Sequence, residues 1–355
     1  MRPFTGNTSI GLAVVCIAQF VIVFDVTAVA TALPAIGADL DVHGGQLSWV
    51  ITAYTVVLAG LLILGGRAAD LAGARRMFLA GLVVFALASA GCAAAGSLGA
   101  LIAARVVQGC GAALLSPAAL AALNDLIPAD ARGRALGWWT AAAAGGGAGG
   151  WALGGLITEL AGWRWVFAVN VPIGLAALVP GRRLLPPGIR AVQRQLDLSG
   201  AALVTAGLAA GVLALSWISE DAGSGLGWAV LAVAGALLAC FARHERRAER
   251  PLVPGGLLRR PGVLGGNLTA VALTGSTTPA MITAVLYVQE TLRLSPGRGA
   301  LLFPAFNVAV IAGSLAGPRV AGRIGERWAL LAGFAAVAGG TALLLLLPAR
   351  GMPAA

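Results

Sequence analysis

Gly66–Arg76 reads GRAADLAGARR. It joins an apolar run that ends near Gly65 to another that starts near Met77. Within it lie an acid (Asp70), three arginines (Arg67, Arg75, Arg76) and two glycines (Gly66, Gly73). A tight charged hinge between two membrane helices needs this mix. Glycine lets the chain turn and lets helix ends approach. Arginines hold a connector on the cytoplasmic side. Asp70 is placed to pair with them or to sit at the positive N-terminal end of the next helix. A plain solvated connector would carry the same charges, so the surrounding chain has to decide.

Composition decides for the membrane. The chain is 59% apolar and only 11% charged. Apolar runs long enough to span recur along it, so the bilayer is its solvent. We count about eleven, near 10–33, 46–65, 77–96, 100–123, 135–158, 163–181, 198–218, 226–242, 263–288, 299–317 and 328–347. The first is too long for a signal peptide and carries Asp25 in its middle, so it reads as a retained helix.

The net charge of +10 does not point to nucleic acid. All 24 basic residues are arginine, and they fall in alternate loops. With the N-terminus inside, the cytoplasmic loops hold Arg67, Arg75 and Arg76, then Arg182, Arg183, Arg190 and Arg194, then the run from Arg243 to Arg260. Outer loops hold only Arg164, Arg293, Arg298 and Arg350. That asymmetry sets a multi-pass topology in the plasma membrane. The four cysteines lie inside apolar runs and read as small buried hydrophobes. His43 and His244 fall in loops without ligand partners. No nucleophile motif, phosphate loop or metal spacing is present, which argues against an enzyme and against a cofactor.

Two charged residues interrupt apolar runs. Asp25 lies within FDVTAVATALP (Phe24–Pro34). A carboxylate in hydrocarbon is costly when ionised, and such acids mark ion or substrate paths. Burial penalises the charged form, so proton exchange near neutral pH is a natural role. A structural strut is the alternative. Arg105 lies in LIAARVVQGCGAALLSP (Leu101–Pro117), with Gln108 one turn on and nearly on the same face. Arg105 either snorkels to the outer interface or faces the bundle and favours a nearby deprotonated acid.

These stretches together resemble the major facilitator superfamily, in particular its fourteen-helix drug:proton antiporters. Gly66–Arg76 is similar to the loop G-x-x-x-D-x-x-G-x-R-R between that family's helices 2 and 3. Asp25–Pro34 resembles its first-helix D-x-T-x-V-x-x-A-L-P, and Leu101–Pro117 its fourth-helix motif. Ala141–Leu156 (AAAAGGGAGGWALGGL) resembles the antiporter fifth helix, which ends G-P-x-x-G-G. Here Gly150, Gly154 and Gly155 match, and Trp151 stands where the proline belongs. Small residues of this kind let helices pack closely. WRWVFAVNVPIG (Trp163–Gly174) resembles the entry to helix six. There Trp163 and Trp165 read as interface anchors, and Pro172 with Gly174 as a kink. Asp197 opens DLSG as a helix N-terminal acid.

Leu286–Pro304 resembles the segment joining helices nine and ten, and offers Gln289, with Asn307 beyond it, as cavity-lining groups alongside Gln108. Gly317–Arg327 (GPRVAGRIGER) is a degenerate copy of the opening stretch when Gly325 is aligned with Gly73.

The resemblance implies an all-α polytopic fold of the major facilitator type. It would comprise a six-helix bundle over 1–182, linkers with two inserted helices over 183–262, and a partial second bundle over 263–355. Against fourteen helices, about eleven imply a chain truncated at its C-terminal side. The function implied is proton-coupled export of amphipathic drugs or antibiotics across the cytoplasmic membrane. Its partners would be the small molecule, protons and lipid, with the proton gradient in place of a cofactor. Asp25 and Arg105 would carry proton coupling and Gly66–Arg76 the cytoplasmic gate. A transport-inactive remnant or scaffold needing a partner remains a second reading, and a proton-coupled importer a third.

Overall fold

The computed structural model describes residues 6–42, 44–187, 197–220, 223, 225–248, 256, 260–287 and 303–344. The chain divides into two compact units, Met1–Val253 and Pro254–Ala355. Regular structure among the described residues is helical throughout.

The first unit holds α1 (Gly6–Leu40), α2 (Ser48–Ala72), α3 (Ala74–Ala93), α4 (Leu98–Leu126), α5 (Arg132–Ala161), α6 (Arg164–Ala168), α7 (Asn170–Leu184), α8 (Leu198–Glu220) and α9 (Gly225–Arg247). The second holds α10 (Pro261–Leu286), α11 (Phe303–Ile324) and α12 (Glu326–Leu344). Each expected apolar run coincides with a helix over its described residues. Seven helical stretches among the described residues are long and apolar enough to cross a membrane: α1 to α4, α6 with α7, α8 and α9. At 35 residues α1 is about 50 Å long, more than the hydrocarbon thickness.

Helix six is broken where its proline requires. α6 ends at Ala168 and α7 begins at Asn170, with Val169 between. Pro172 has no N–H to give the Ala168 carbonyl, so the ladder cannot run through.

The opening stretch is less of a loop than its charges suggest. α2 runs through Ala72 and α3 starts at Ala74, so the connection is Gly73 alone. Arg67, Ala68, Ala69, Leu71 and Ala72 sustain the helix past Asp70, and only Gly73 leaves it, at φ +94°. Gly66 therefore lies inside α2. The degenerate copy has the same backbone. Gly325, at φ +85°, is the single residue between α11 and α12. The Gly73 N–H bonds Ala69 O at 2.9 Å, and the Gly325 N–H bonds Ala321 O at 2.9 Å.

In the first unit α1 packs on α5, α4 on both α2 and α3, α3 on α7, and α8 on both α9 and α2. Close approaches are made at glycine. A Cβ at Gly65 of α2 would stand 1.9 Å from Ala113 O of α4. Gly81 of α3 and Gly111 of α4 sit against each other's backbones. In α5, Gly146, Gly150 and Gly154 recur every fourth residue and meet Phe20 O, Phe24 O and Ala28 Cα of α1. Such spacing places them on one helix face, and small residues there bring the backbones together. Gly155 is buried beside them. α5 is unbroken through Trp151, which is half-buried, so the missing proline leaves a continuous helix.

Candidate functional site: a buried ionic network in the first unit

Asp25 on α1, Ser89 on α3, Arg105 and Gln108 on α4, and Asn170 at the start of α7 are all completely buried. They form one connected network. Arg105 Nη1 donates to Asp25 Oδ2 and, at 2.7 Å, to Gln108 Oε1. Arg105 Nε donates to the Val50 carbonyl of α2 at 2.8 Å. The other carboxylate oxygen, Asp25 Oδ1, accepts from Gln108 Nε2 at 2.8 Å and Asn170 Nδ2 at 3.1 Å. Gln108 Nε2 also reaches Ser89 Oγ at 2.9 Å, and Ser89 in turn donates to Phe85 O. Cys92 Sγ lies 3.6 Å from Gln108 Oε1.

Aromatic faces cover the guanidinium. Arg105 Cζ stands 4.2 Å from the Tyr54 ring centroid and 5.8 Å from that of Phe167. Arg105 therefore does not snorkel; it is aimed inward and its charge is matched by Asp25. A buried ion pair holds only when both charges are matched and their remaining hydrogen-bond capacity is used. Here amides, a backbone carbonyl and two π faces supply most of that environment, while the buried Arg105 Nη2 has no hydrogen-bond partner among the described residues. The Asp25 carboxyl thus faces a fixed cation and two amide donors, all inside the bundle.

The i, i+3 placement puts Arg105 and Gln108 on one face of α4, and both reach Asp25. Gln108 has no exposed surface, so its surroundings are the network and not an open cavity. Gln289 lies outside the described residues, as does the side chain of Asn307. The sequence reading missed Asn170, Ser89 and Tyr54. Asn170 stood within the quoted helix-six stretch as a lone amide among apolar residues, which was the available signal.

At the Gly66–Arg76 stretch, Arg75 Nη1 reaches the carbonyls of Leu185 at 3.4 Å and Arg182 at 3.5 Å. A cation there complements the C-terminal end of α7. Arg67 is half-buried; Arg76 and Asp70 are exposed. Asp70 makes no ion pair among the described residues.

At the far end of α1, Asp39 accepts from Arg164 Nη1 at 2.7 Å and from Trp163 Nε1 at 3.2 Å, and Arg164 Nη2 bonds Ala95 O at 3.2 Å. Trp163 is thus packed inside, 4% exposed, while Trp165 remains 58% exposed as an anchor would be. His244 lies in the last turn of α9, not in a loop, and its Nε2 stands 2.8 Å from Asp197 Oδ2. Asp197 Oδ1 accepts from the Gly200 N–H at 2.9 Å and from the Ser199 hydroxyl at 2.8 Å, which caps α8. Burial works against the Asp197 carboxylate, but these bonds and the nearby imidazole outweigh it and hold the carboxyl below its ordinary range.

The profile of the Major Facilitator Superfamily matches residues 15–354. This chain belongs to that superfamily. It is a multi-pass membrane protein of a transporter family and not an enzyme. Among its relatives are the cephamycin export protein CmcT of Amycolatopsis lactamdurans, 41% identical over 340 residues, 93% of this chain and 69% of that one. The puromycin resistance protein pur8 of Streptomyces alboniger is 39% identical over 339 residues, 94% of this chain and 67% of that one. The lincomycin resistance protein of Streptomyces lincolnensis is 33% identical over 341 residues, 95% and 70%. This superfamily member thus spans about two-thirds of the length of these relatives. Its fold is shared with a peptide transporter POT solved in complex with sulfate, at a TM-score of 0.60 and 14% identity over 88% of this chain and 67% of that one. The proton:xylose symporter XylE gives a TM-score of 0.54 at 15% identity, over 90% and 70%.

Proposed function

We propose that this transporter exports amphipathic small molecules of the antibiotic type across the plasma membrane, driven by proton entry. The observation that carries the proposal is the fully buried Asp25–Arg105 pair. Relatives named for export of cephamycin and resistance to puromycin and lincomycin support the substrate class and the outward direction. The arginine asymmetry of the loops supports a cytoplasmic N-terminus.

Coupling follows from the charge balance. When Asp25 is ionised, Arg105 is neutralised and the network is closed. A proton delivered by hydronium forms an O–H bond on the Asp25 carboxyl and leaves water. The neutral acid no longer balances Arg105, and an uncompensated buried cation costs several kcal/mol. That cost is what drives the helices to rearrange, and proton release to the cytoplasm resets them. Gly66–Arg76 acts as the cytoplasmic latch and the α5 glycines as a close-packed sliding surface against α1. The proton gradient supplies the energy, and no cofactor takes part.

The test is accumulation of puromycin, cephamycin and lincomycin in cells stripped of their own efflux pumps and expressing this chain. Export lowers accumulation, and a protonophore abolishes the effect. Asp25→Asn lowers export at least tenfold while the protein stays in the membrane. Because Asp25→Asn leaves Arg105 buried without its counter-charge, at a cost of about 3–5 kcal/mol, Asp25→Asn/Arg105→Gln serves as the folding control. Export by the Asp25→Asn variant at the wild-type level would remove Asp25 from the mechanism. Protonophore-sensitive accumulation instead of depletion would make the protein an importer, and no gradient-dependent movement of any of the three would sink the reading.

A further inference from the structure

We propose that Asn170 is a positioning residue that reads the protonation state of Asp25 and passes it to helix six. The inference rests on the proton-coupling role of Asp25 and adds a part that role does not require.

Asn170 is completely buried and reaches Asp25 Oδ1 from α7, across the bundle from Arg105 on α4. Its own Oδ1 has no hydrogen-bond partner. A buried amide carbonyl without a partner is costly. It is also the one atom a protonated Asp25 would need. In the charged state Asp25 Oδ1 accepts two amide N–H bonds, from Gln108 and Asn170. Once a proton sits on Oδ1, that oxygen must donate. Gln108 cannot turn to accept it, because its Oε1 already takes a bond from Arg105 Nη1 and its Nε2 also reaches Ser89. Asn170 makes no second bond that rotation would break. A half-turn of its amide withdraws Nδ2 and presents Oδ1 to the new O–H. One N–H···O bond is lost and one O–H···O bond forms.

The place in the chain gives this flip a consequence. Asn170 is the first residue of α7, next to Val169, where helix six is broken and the backbone is freed from the ladder by Pro172. A change in side-chain bonding at a helix break is passed to α7 more readily than one in mid-helix.

The charged and titratable groups near the carboxyl are Arg105 of α4, Tyr54 of α2 and Cys92 of α3; α5 offers glycines to this part of α1. Asn170 is neutral, so replacing it leaves those charges unchanged.

The experiment follows the carboxyl itself. Infrared difference spectra of the purified full chain in lipid are recorded across pH, and the Asp25 band is assigned by its loss in Asp25→Asn. In wild type the band appears as pH falls, and its frequency is that of a hydrogen-bonded acid. Asn170→Leu removes a donor to the carboxylate and an acceptor for the acid. The protonated form is then left without a partner for its O–H, so the band moves to the higher frequency of a free acid. Asn170→Ser, which keeps a rotating donor and acceptor, brings the frequency part of the way back. Asn170→Ala stands in if the leucine variant does not fold. An Asp25 band that titrates in wild type and is unmoved in Asn170→Leu or Asn170→Ala overturns the inference while leaving Asp25 as the proton carrier. Absence of any Asp25 band in wild type would sink both.

Discussion

Adding one methyl group at Gly150 tests the α1–α5 contact directly. An ideal Cβ there would stand 1.8 Å from Thr27 Oγ1 and 2.7 Å from Phe24 O. Thr27 can rotate, at the cost of its bonds to Val23 O and Phe24 O. The Phe24 carbonyl cannot move without its helix. To reach ordinary contact it must retreat by about 0.7 Å, and α1 is held on either side by the same approach at Gly146 and Gly154. Overpacking of this kind costs about 1–3 kcal/mol, against a helix-propensity gain of about 1 kcal/mol for Gly→Ala. Gly147 is the matched control. It lies in the same helix, and its Cβ would meet only Val23 Cγ1 at 3.6 Å, an ordinary contact. Gly147→Ala therefore keeps the propensity gain without the clash. Thermal unfolding in detergent, followed by a thiol-reactive dye at buried Cys92, reads the two. We expect Gly150→Ala to melt several degrees below wild type and Gly147→Ala to melt at or above it. The reverse order would mean that α1 and α5 do not meet on the Gly146–Gly150–Gly154 face.

Gly73→Ala should destabilise by about 1–3 kcal/mol, since the residue sits at φ +94° and a Cβ would lie 2.6 Å from Pro187 O. Gly66→Ala, inside α2 with its nearest neighbour Pro117 Cβ at 3.7 Å, should melt at or above wild type in the same assay; equal losses would contradict a one-residue hinge. The Asp197 carboxyl lies below its ordinary range in the folded chain. Its contribution is therefore present above about pH 4 and is lost as pH falls through the lowered value. Protection of the amides in the first turn of α8 should fall in that acid window, and Asp197→Ala, which removes the cap, should show the weaker protection already at neutral pH. An acid response that survives in the alanine variant would assign it to another group.

Much of this architecture is legible because the bilayer leaves few solutions. A backbone in hydrocarbon must satisfy its own polar groups, so each apolar run becomes a helix. A charge inside such a run is conspicuous for the same reason, and Asp25 and Arg105 stand out on cost alone. Gln108 follows by helical spacing. The partner from the other side did not follow. Asn170 is neutral and 145 positions from Asp25 along the chain, and no local rule links α7 to α1. The His244–Asp197 contact, 47 positions apart, was hidden for the same reason. The extent of α2 was misread because arginine and aspartate suggest a loop by charge, while the helix propensity of Arg67, Ala68, Ala69, Leu71 and Ala72 carries the helix past Asp70 to Gly73.

α1 explains why these parts belong together. One face of it gives Asp25 to α4 and α7; another gives the Phe20–Thr31 backbone to the α5 glycines. Phe24 and Asp25 are adjacent, so the residue whose carbonyl lies on Gly150 precedes the residue that closes the ionic network. A displacement of α1 large enough to release Asp25 from Arg105 must also slide Phe24 across Gly150. With a side chain at that position the slide would be blocked by backbone, whereas glycine leaves the path open. Under the proposed mechanism the small residues of α5 and the charged pair are two requirements of one movement, and a substitution at either should alter the other's behaviour. Non-additivity of the melting temperatures of Gly150→Ala and Asp25→Asn/Arg105→Gln, combined in one chain, is the measure of that link.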